Sequence, residues 1–276
     1  MLMFRMAEIL KEAVFPSRCI VCGSFFHGFS KNNSVDIVNL ADKLSEMENI
    51  TFERVMYPFL CAACCDDYLP VESPICSSCG AVFKSREGED HLCQKCIEQP
   101  KRFGKARAIF LYSLAVMEVI HSFKYKGKLQ VAASLELLLF SVLMRHWKLS
   151  DFDIVIPVPL HIKRFRARGF NQAYFLIRNL KELAERFMVE SGRIEIGKDV
   201  IERTVWTQPQ TGLGREERIK NIKGAFTVKE FSKVKSKRIL LVDDVYTTGA
   251  TVDECAKVLI KGGAKSVDVL TLARAI

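Results

Sequence analysis

Long apolar runs are absent from this 276-residue sequence. The longest, residues 137–144, contains Ser141 and is far shorter than the ~20 residues that cross a bilayer, so no membrane insertion is expected. The uninterrupted apolar region of a secretory signal is missing too, because Arg5, Glu8, Lys11 and Glu12 punctuate the first turns of sequence; a cytoplasmic location is expected. Composition, 49% apolar and 26% charged, excludes extended disorder and collagen-like or coiled-coil bias, and the length suits one or two folded domains. Beyond residue 100 cysteine all but disappears, leaving Cys255 alone, and acidic residues become the minority.

These two absences divide the chain. Residues 1–100 hold 9 Lys and Arg against 14 Asp and Glu, a net −5, which leaves 32 against 18, a net +14, for residues 101–276. The basic part suits a polyphosphorylated small molecule or a nucleic acid, or is simply a solvated basic surface. The acidic part carries four CxxC pairs: Cys19/Cys22, Cys61/Cys64, Cys76/Cys79 and Cys93/Cys96, with Cys65 in addition. Two thiolates so spaced can face one tetrahedral Zn²⁺, and a second pair closes the shell, so eight cysteines make two closed, structural zinc sites. A disulfide framework is disfavoured in a reducing compartment, and a redox CxxC would occur once rather than four times. Cys22-Gly23 and Cys79-Gly80 repeat, which pairs 19/22 with 61/64 and 76/79 with 93/96. Cys61 could be joined by Cys65 instead of Cys64; Cys64 keeps the common spacing. The 23–60 gap reads as a polar insertion with helical spacing over residues 34–50. His91, beside Cys93, is a spare ligand to a set that already has four.

The expected domains are therefore a Cys-rich zinc module, 1–100, and an α/β domain, 101–276. In the second, strands are expected at 107–112, 153–159, 238–242 and 267–272. Helices are expected on either side of a polar 123–128 loop, in one amphipathic stretch from Phe170 to Phe187, and from Ala250 to Ile260. Strand, crossover helix and strand imply a parallel sheet with helices on both faces, whose ligand lies beyond the carboxyl ends of the strands.

At one such end stands Leu240-Leu-Val-Asp-Asp-Val-Tyr-Thr-Thr-Gly-Ala-Thr251. Asp243 and Asp244 can accept hydrogen bonds from adjacent ribose hydroxyls. The backbone N–H groups of Thr247, Thr248, Gly249, Ala250 and Thr251, with the positive end of the helix that follows, form an anion cradle. Plainer readings are a carboxylate pair for Mg²⁺ alone, or a strand followed by a Thr-capped helix. Cys255 falls on the apolar face of that helix with Val252, Ala256 and Leu259, as a core thiol does.

This stretch resembles the phosphoribosyl pyrophosphate (PRPP) motif of type I phosphoribosyltransferases. Together with PVPLHIKRFRARGFNQA (157–173), TQPQTGLGREERIKNIKGAF (207–226), FKYKG (123–127) and the cysteine pairs, it resembles the ComF family of competence-associated phosphoribosyltransferase-like proteins. The resemblance implies a type I phosphoribosyltransferase fold preceded by the zinc module, and Mg²⁺–PRPP as ligand. It puts the 5′-phosphate on the Thr247–Thr251 cradle, the ribose on Asp243 and Asp244, and Arg168 with these two in catalysis. Lys124, Arg164, Arg166, Asn171, Gln172, Gln210, Arg218 and Asn221 become candidates for pyrophosphate or substrate contact, though Asn171 reads equally as a helix cap and the arginines as a solvated loop. His161 is a candidate acid or base. Two function classes follow: a transferase of phosphoribose to an unidentified acceptor, or a non-catalytic, PRPP-responsive protein that engages single-stranded DNA or a DNA-uptake helicase during natural transformation.

Overall fold

The computed structural model describes residues 16–26, 47, 50–85, 87–125, 128–190, 192, 194–207 and 215–275. Among the described residues, the cysteine-rich part contributes a ribbon of β1 (Ser17–Arg18) and β2 (Phe25–Phe26) and three short helices, α1 (Phe52–Met56), α2 (Ala62–Asp66) and α3 (Gln94–Glu98). Then follow β3 (Ala106–Leu111), α4 (Leu114–Tyr125), α5 (Gln130–His146), β4 (Ile154–Pro157), α6 (Ile162–Arg168), α7 (Gln172–Phe175), α8 (Leu180–Arg186) and β5 (Glu195–Ile196). The remainder is β6 (Ile201–Arg203), α9 (Arg215–Ile222), β7 (Phe226–Val228), β8 (Arg238–Tyr246), α10 (Ala250–Lys261) and β9 (Ser266–Arg274). Five strands form one parallel sheet in the order β3-β9-β8-β4-β5, and β6 and β7 make a separate antiparallel ribbon. This is the expected parallel sheet with flanking helices.

Strand periodicity sorts the apolar side chains between two cores. Val155, Leu240, Val242, Leu270 and Leu272 enter one core, shared with α5, α8 and buried Cys19 and Cys65. Ile154, Ile156, Ile239, Leu241, Val267 and Val269 enter the other, with Val252, Cys255, Ala256 and Leu259 of α10 and buried Cys76, Cys79 and Cys96. Helix α5 is buried almost all round because the sheet covers one side and α1 the other; Ser134 Oγ donates to Val55 O at 2.9 Å across that second contact. That double burial accounts for the apolar stretch at 137–144. The exposed edge of β3 is closed by residues 69–71, where Val71 N donates to Ile109 O and Leu111 N to Leu69 O at 3.0 and 2.8 Å.

Three local expectations are corrected. The helix expected from Phe170 to Phe187 is broken into α7 and α8 by a turn at 176–179, which lets Asn179 N and Nδ2 donate to buried Glu136 at 2.6 and 2.9 Å. Phe123, Lys124 and Tyr125, expected in a loop, finish α4. Strand β8 continues past Val242 to Tyr246 because the long β9 pairs it throughout, Asp243 opposite Thr271 and Tyr246 opposite Arg274. The helical expectation for 34–50 falls largely outside the described residues.

Candidate functional site

Each CxxCG pair is a tight knuckle: Gly23 and Gly80 have positive φ, +74° and +70°, and their N–H groups return to Cys19 O and Cys76 O. Each partner pair starts a helix, with Cys61 and Cys93 as N-caps of α2 and α3. Gly80 is constrained further, since a Cβ there would stand 2.6 Å from Ala106 O. The two constructions gather Cys19, Cys22, Cys61 and Cys64 in one cluster and Cys76, Cys79, Cys93 and Cys96 in another, with all sulfurs of a cluster within 4.8 Å of one another. Cys22–Cys61 and Cys79–Cys93 measure 3.7 and 3.8 Å. Zn–S bonds of about 2.3 Å at tetrahedral angles require ~3.8 Å between sulfurs, so both sets fit zinc. Cys65 is buried in the apolar core instead, and His91 stacks on Phe83 with centroids 4.0 Å apart.

The carboxyl ends of β3, β4 and β8 open into a cavity of about 770 Å³. Asp243 and Asp244 lie on its floor, and Asp243 Oδ1 accepts from Asp244 N at 2.9 Å. Burial, then the neighbouring Asp244 charge, raises the Asp243 pKa above the ordinary carboxylate range. Lys124, on the last turn of α4, ion-pairs with Asp244 at 2.8 Å across the floor. Thr247, Gly249, Ala250 and Thr251 also line the cavity, and Thr248 Oγ accepts from Ala250 N at 3.3 Å. Gly249 takes a φ of +76° at the start of α10, and a Cβ on it would stand 2.2 Å from Tyr246 Oη, so only glycine fits between loop and ring.

On the opposite wall stand Arg164 and Arg168. Arg168 donates to Gln172 Oε1 and lies 4.8 Å from the Tyr125 ring centre; burial lowers the Arg164 pKa. Arg166 is exposed and is not among the lining residues. Asn171 caps α7 by accepting from Ala173 N at 3.0 Å and donates to Val158 O at 3.1 Å, so with Gln172 it supports the wall from behind. His161 caps α6 through Nδ1, and burial lowers its pKa. Arg218 and Asn221 fall on α9, and Gln210 lies outside the described residues.

Other lining residues were not legible beforehand: Tyr112, Tyr125, Arg203 and Trp206. Arg203-Thr-Val-Trp206 offered one signal, a tryptophan amid polar residues beside a cation. Nothing local marks Arg274, which donates to Cys79 O, approaches Cys79 Sγ at 3.5 Å and lies 4.6 Å from the Tyr246 ring centre. It joins the second cysteine cluster to the ring beneath Gly249.

A phosphoribosyl transferase domain model matches residues 167–276. The chain is 30% identical over 216 residues to the DNA utilization protein YhgH of Shigella flexneri, covering 77% of this chain and 89% of the relative. It is 29% identical over 233 residues to competence protein F of Haemophilus influenzae, covering 79% and 98%. Competence protein ComFC of Streptococcus pneumoniae is 29% identical over 216 residues, covering 74% and 89%.

Proposed function

The chain belongs to the ComF family, and on that premise we propose that its cavity binds PRPP with Mg²⁺ and acts in the handling of incoming DNA, transferring phosphoribose to an acceptor. The observation that carries this reading is the Lys124–Asp244 ion pair on the cavity floor beside the Gly249 turn. It sets a carboxylate pair, a cation and a helix N-terminus within one enclosure, which is what a ribose, a pyrophosphate and a 5′-phosphate require.

In this reading Asp243 and Asp244 accept from the ribose hydroxyls, and the Thr247–Thr251 turn holds the 5′-phosphate through backbone N–H groups. Arrival of the ribose frees Lys124 from Asp244 to meet the pyrophosphate, with Arg164 and Arg168 on the facing wall. Arg168 is held in place by Gln172 and Tyr125, so its charge costs little reorganisation when negative charge grows on the leaving group. Mg²⁺ supplies neutralisation of the pyrophosphate. The zinc clusters, each closed by four thiolates, hold structure and take no part in bond changes.

A second reading keeps PRPP as a regulatory ligand and has the protein engage single-stranded DNA or a helicase without turnover. The exposed Lys163 and Arg166 on α6, beside the cavity, favour it. Calorimetric titration of PRPP with Mg²⁺ into the zinc-loaded protein tests the common part. Saturable binding that disappears in the Asp243→Ala, Asp244→Ala double variant is expected; no heat with the folded wild type would remove both readings.

A further inference from the structure

A second cavity, of about 320 Å³, shares no residue with the one at the carboxyl ends of the strands. It lies beside β3 and is lined by α1, the last turns of α5 and the segment 68–73. Much of its lining is core. Phe52, Tyr68 and Phe110 meet one another with ring centres 4.4, 5.1 and 5.7 Å apart, and Ile50, Ile75 and Ile109 are all buried. The space is propped open by contacts of its own walls. Residues 69–71 are bonded to the β3 edge, Ile75 N donates to Asp90 Oδ1 at 2.8 Å, and Ser134 ties α5 to α1. The result is a preformed apolar hollow of the size at which small-molecule sites begin, about 300 Å³.

The charges on this lining are two and opposite: Arg145, from the last turn of α5, and Glu72, from the segment that covers the β3 edge. His146 lines the cavity too, but burial, followed by the Arg107 and Lys105 charges, lowers its pKa to about 4 and leaves it neutral. A basic last turn ordinarily serves the carbonyl end of its own helix, yet here Lys105 Nζ already donates to His146 O at 2.9 Å. Arg145 is left over from that task. Both Arg145 and Glu72 lie near the Tyr68 hydroxyl, whose pKa is raised by burial and by Glu72 and lowered by Arg145. They share that end of the cavity without joining: among the described residues neither has an ion-pair partner. An unpaired cation and an unpaired anion thus border the same apolar hollow.

We propose that this cavity binds a small zwitterion with an apolar body, the chemistry of an α-amino acid with an aromatic or branched side chain: Arg145 takes the carboxylate, Glu72 takes the ammonium, and the side chain enters among Phe52, Tyr68 and Phe110. A carboxylate suits the planar donor fork of Arg145, and a ligand that carries both charges bridges two groups that do not reach each other. The same arrangement selects against its rivals. A polyanion meets the Glu72 carboxylate, and an amine alone meets the Arg145 guanidinium. The site is independent of the PRPP reading.

The test uses the zinc-loaded full chain with its isoleucine methyl groups labelled for NMR. Phenylalanine and leucine are the probes, and phenylacetate and phenethylamine are the counterparts that carry one charge each. Saturable shifts of the Ile50, Ile75 and Ile109 methyls are expected with at least one amino acid, with the exposed Ile162 of α6 unmoved, and with affinity about tenfold above either counterpart. Arg145→Gln and Glu72→Gln, both at exposed positions, should each weaken the responsive amino acid by about tenfold. Their undisturbed methyl spectra would verify the fold. Calorimetry with Mg²⁺–PRPP should give the same result for both variants as for wild type; if none of the three binds PRPP, the reading of the first cavity fails and this site stands. No saturable shift with either amino acid up to about 10 mM overturns the proposal. So does phenylacetate or phenethylamine binding as tightly as phenylalanine, or an affinity that neither variant changes.

Discussion

The first cysteine cluster ends among apolar side chains and the second ends on arginines. Cys19 and its neighbours pack into the core formed with α5, and Cys22 at the outer side is exposed to solvent. Around the second cluster, Arg107 of β3 is 8% exposed and donates to Ser77 O and Ala106 O, while Arg274 of β9 reaches Cys79. Four thiolates around Zn²⁺ would leave two negative charges, and the second cluster has the buried Arg107 and half-buried Arg274 guanidiniums beside it where the first has the exposed side of Cys22. The local construction is the same in both, a glycine knuckle and a helix N-terminus, so the difference lies only in what surrounds them. The first cluster sits against the α5 core; the second is tied through Arg107 and Arg274 to β3 and β9, strands of the sheet that carries the cavity.

Removing a ligand from each cluster breaks the comparison most severely. Cys76→Ser should cost one zinc per chain and about 3–5 kcal/mol of stability, since it strips the buried Arg107 guanidinium of its counter-charge, and should abolish PRPP binding. Cys22→Ser should also cost one zinc, with PRPP affinity within about twofold of wild type. Metal analysis, denaturant unfolding and calorimetry on both proteins decide it; equal effects would make the two clusters equivalent.

A subtler break leaves both ions in place. Arg274→Met should retain two zincs per chain and lower PRPP affinity by about tenfold, because the ring of Tyr246 beneath Gly249 loses its cation. Arg274→Lys should restore part of that loss. An Arg274→Met protein that releases zinc but binds PRPP normally would reverse the direction of the link.

A third test sharpens the other side of the comparison. Burial raises the Glu136 pKa to about 7 in the α5 core that carries the first cluster. An unfolded chain releases this proton near 4.5 and the folded one only near 7, so stability is highest below the lower value and declines as pH rises through that window. Glu136→Gln should flatten the decline, worth on the order of 3 kcal/mol at its limit. Denaturation of both proteins between pH 4.5 and 8 measures it, and parallel curves would dismiss Glu136 as the source.

Much of this was legible because its signals are local. A CxxC pair fixes its own turn, and residues 238–251 state strand, acids, glycine and helix within one stretch of chain. The ribose and phosphate candidates therefore stand together on the cavity floor. Arg166 and Asn171 had the same credentials on paper, yet α6 turns one to solvent and the start of α7 uses the other as a cap. The helix from Phe170 to Phe187 had the right periodicity, but a buried carboxylate on α5 draws Asn179 out of it. Arg274 acquires its place only through tertiary contacts, and no pattern in its own segment announces it.

The position of β9 between β3 and β8 also sets an order of events for a chain finding its fold. Strand β3 pairs with β9 across a wide sequence gap, shown by the bond from Lys105 N to Asp268 at a separation of 163 residues, and the Arg274 contact to Cys79 spans 195. Cysteine turns can close early on their own ion, but docking of the second turn must wait until residues 266–274 have threaded into the sheet. Such long loop closures slow assembly, and they leave β3 with an unpaired inner edge in the interval. The metal-bound turns would then be formed and waiting, so that seating of one strand completes the sheet, covers that edge and ties Tyr246 into place in a single late step.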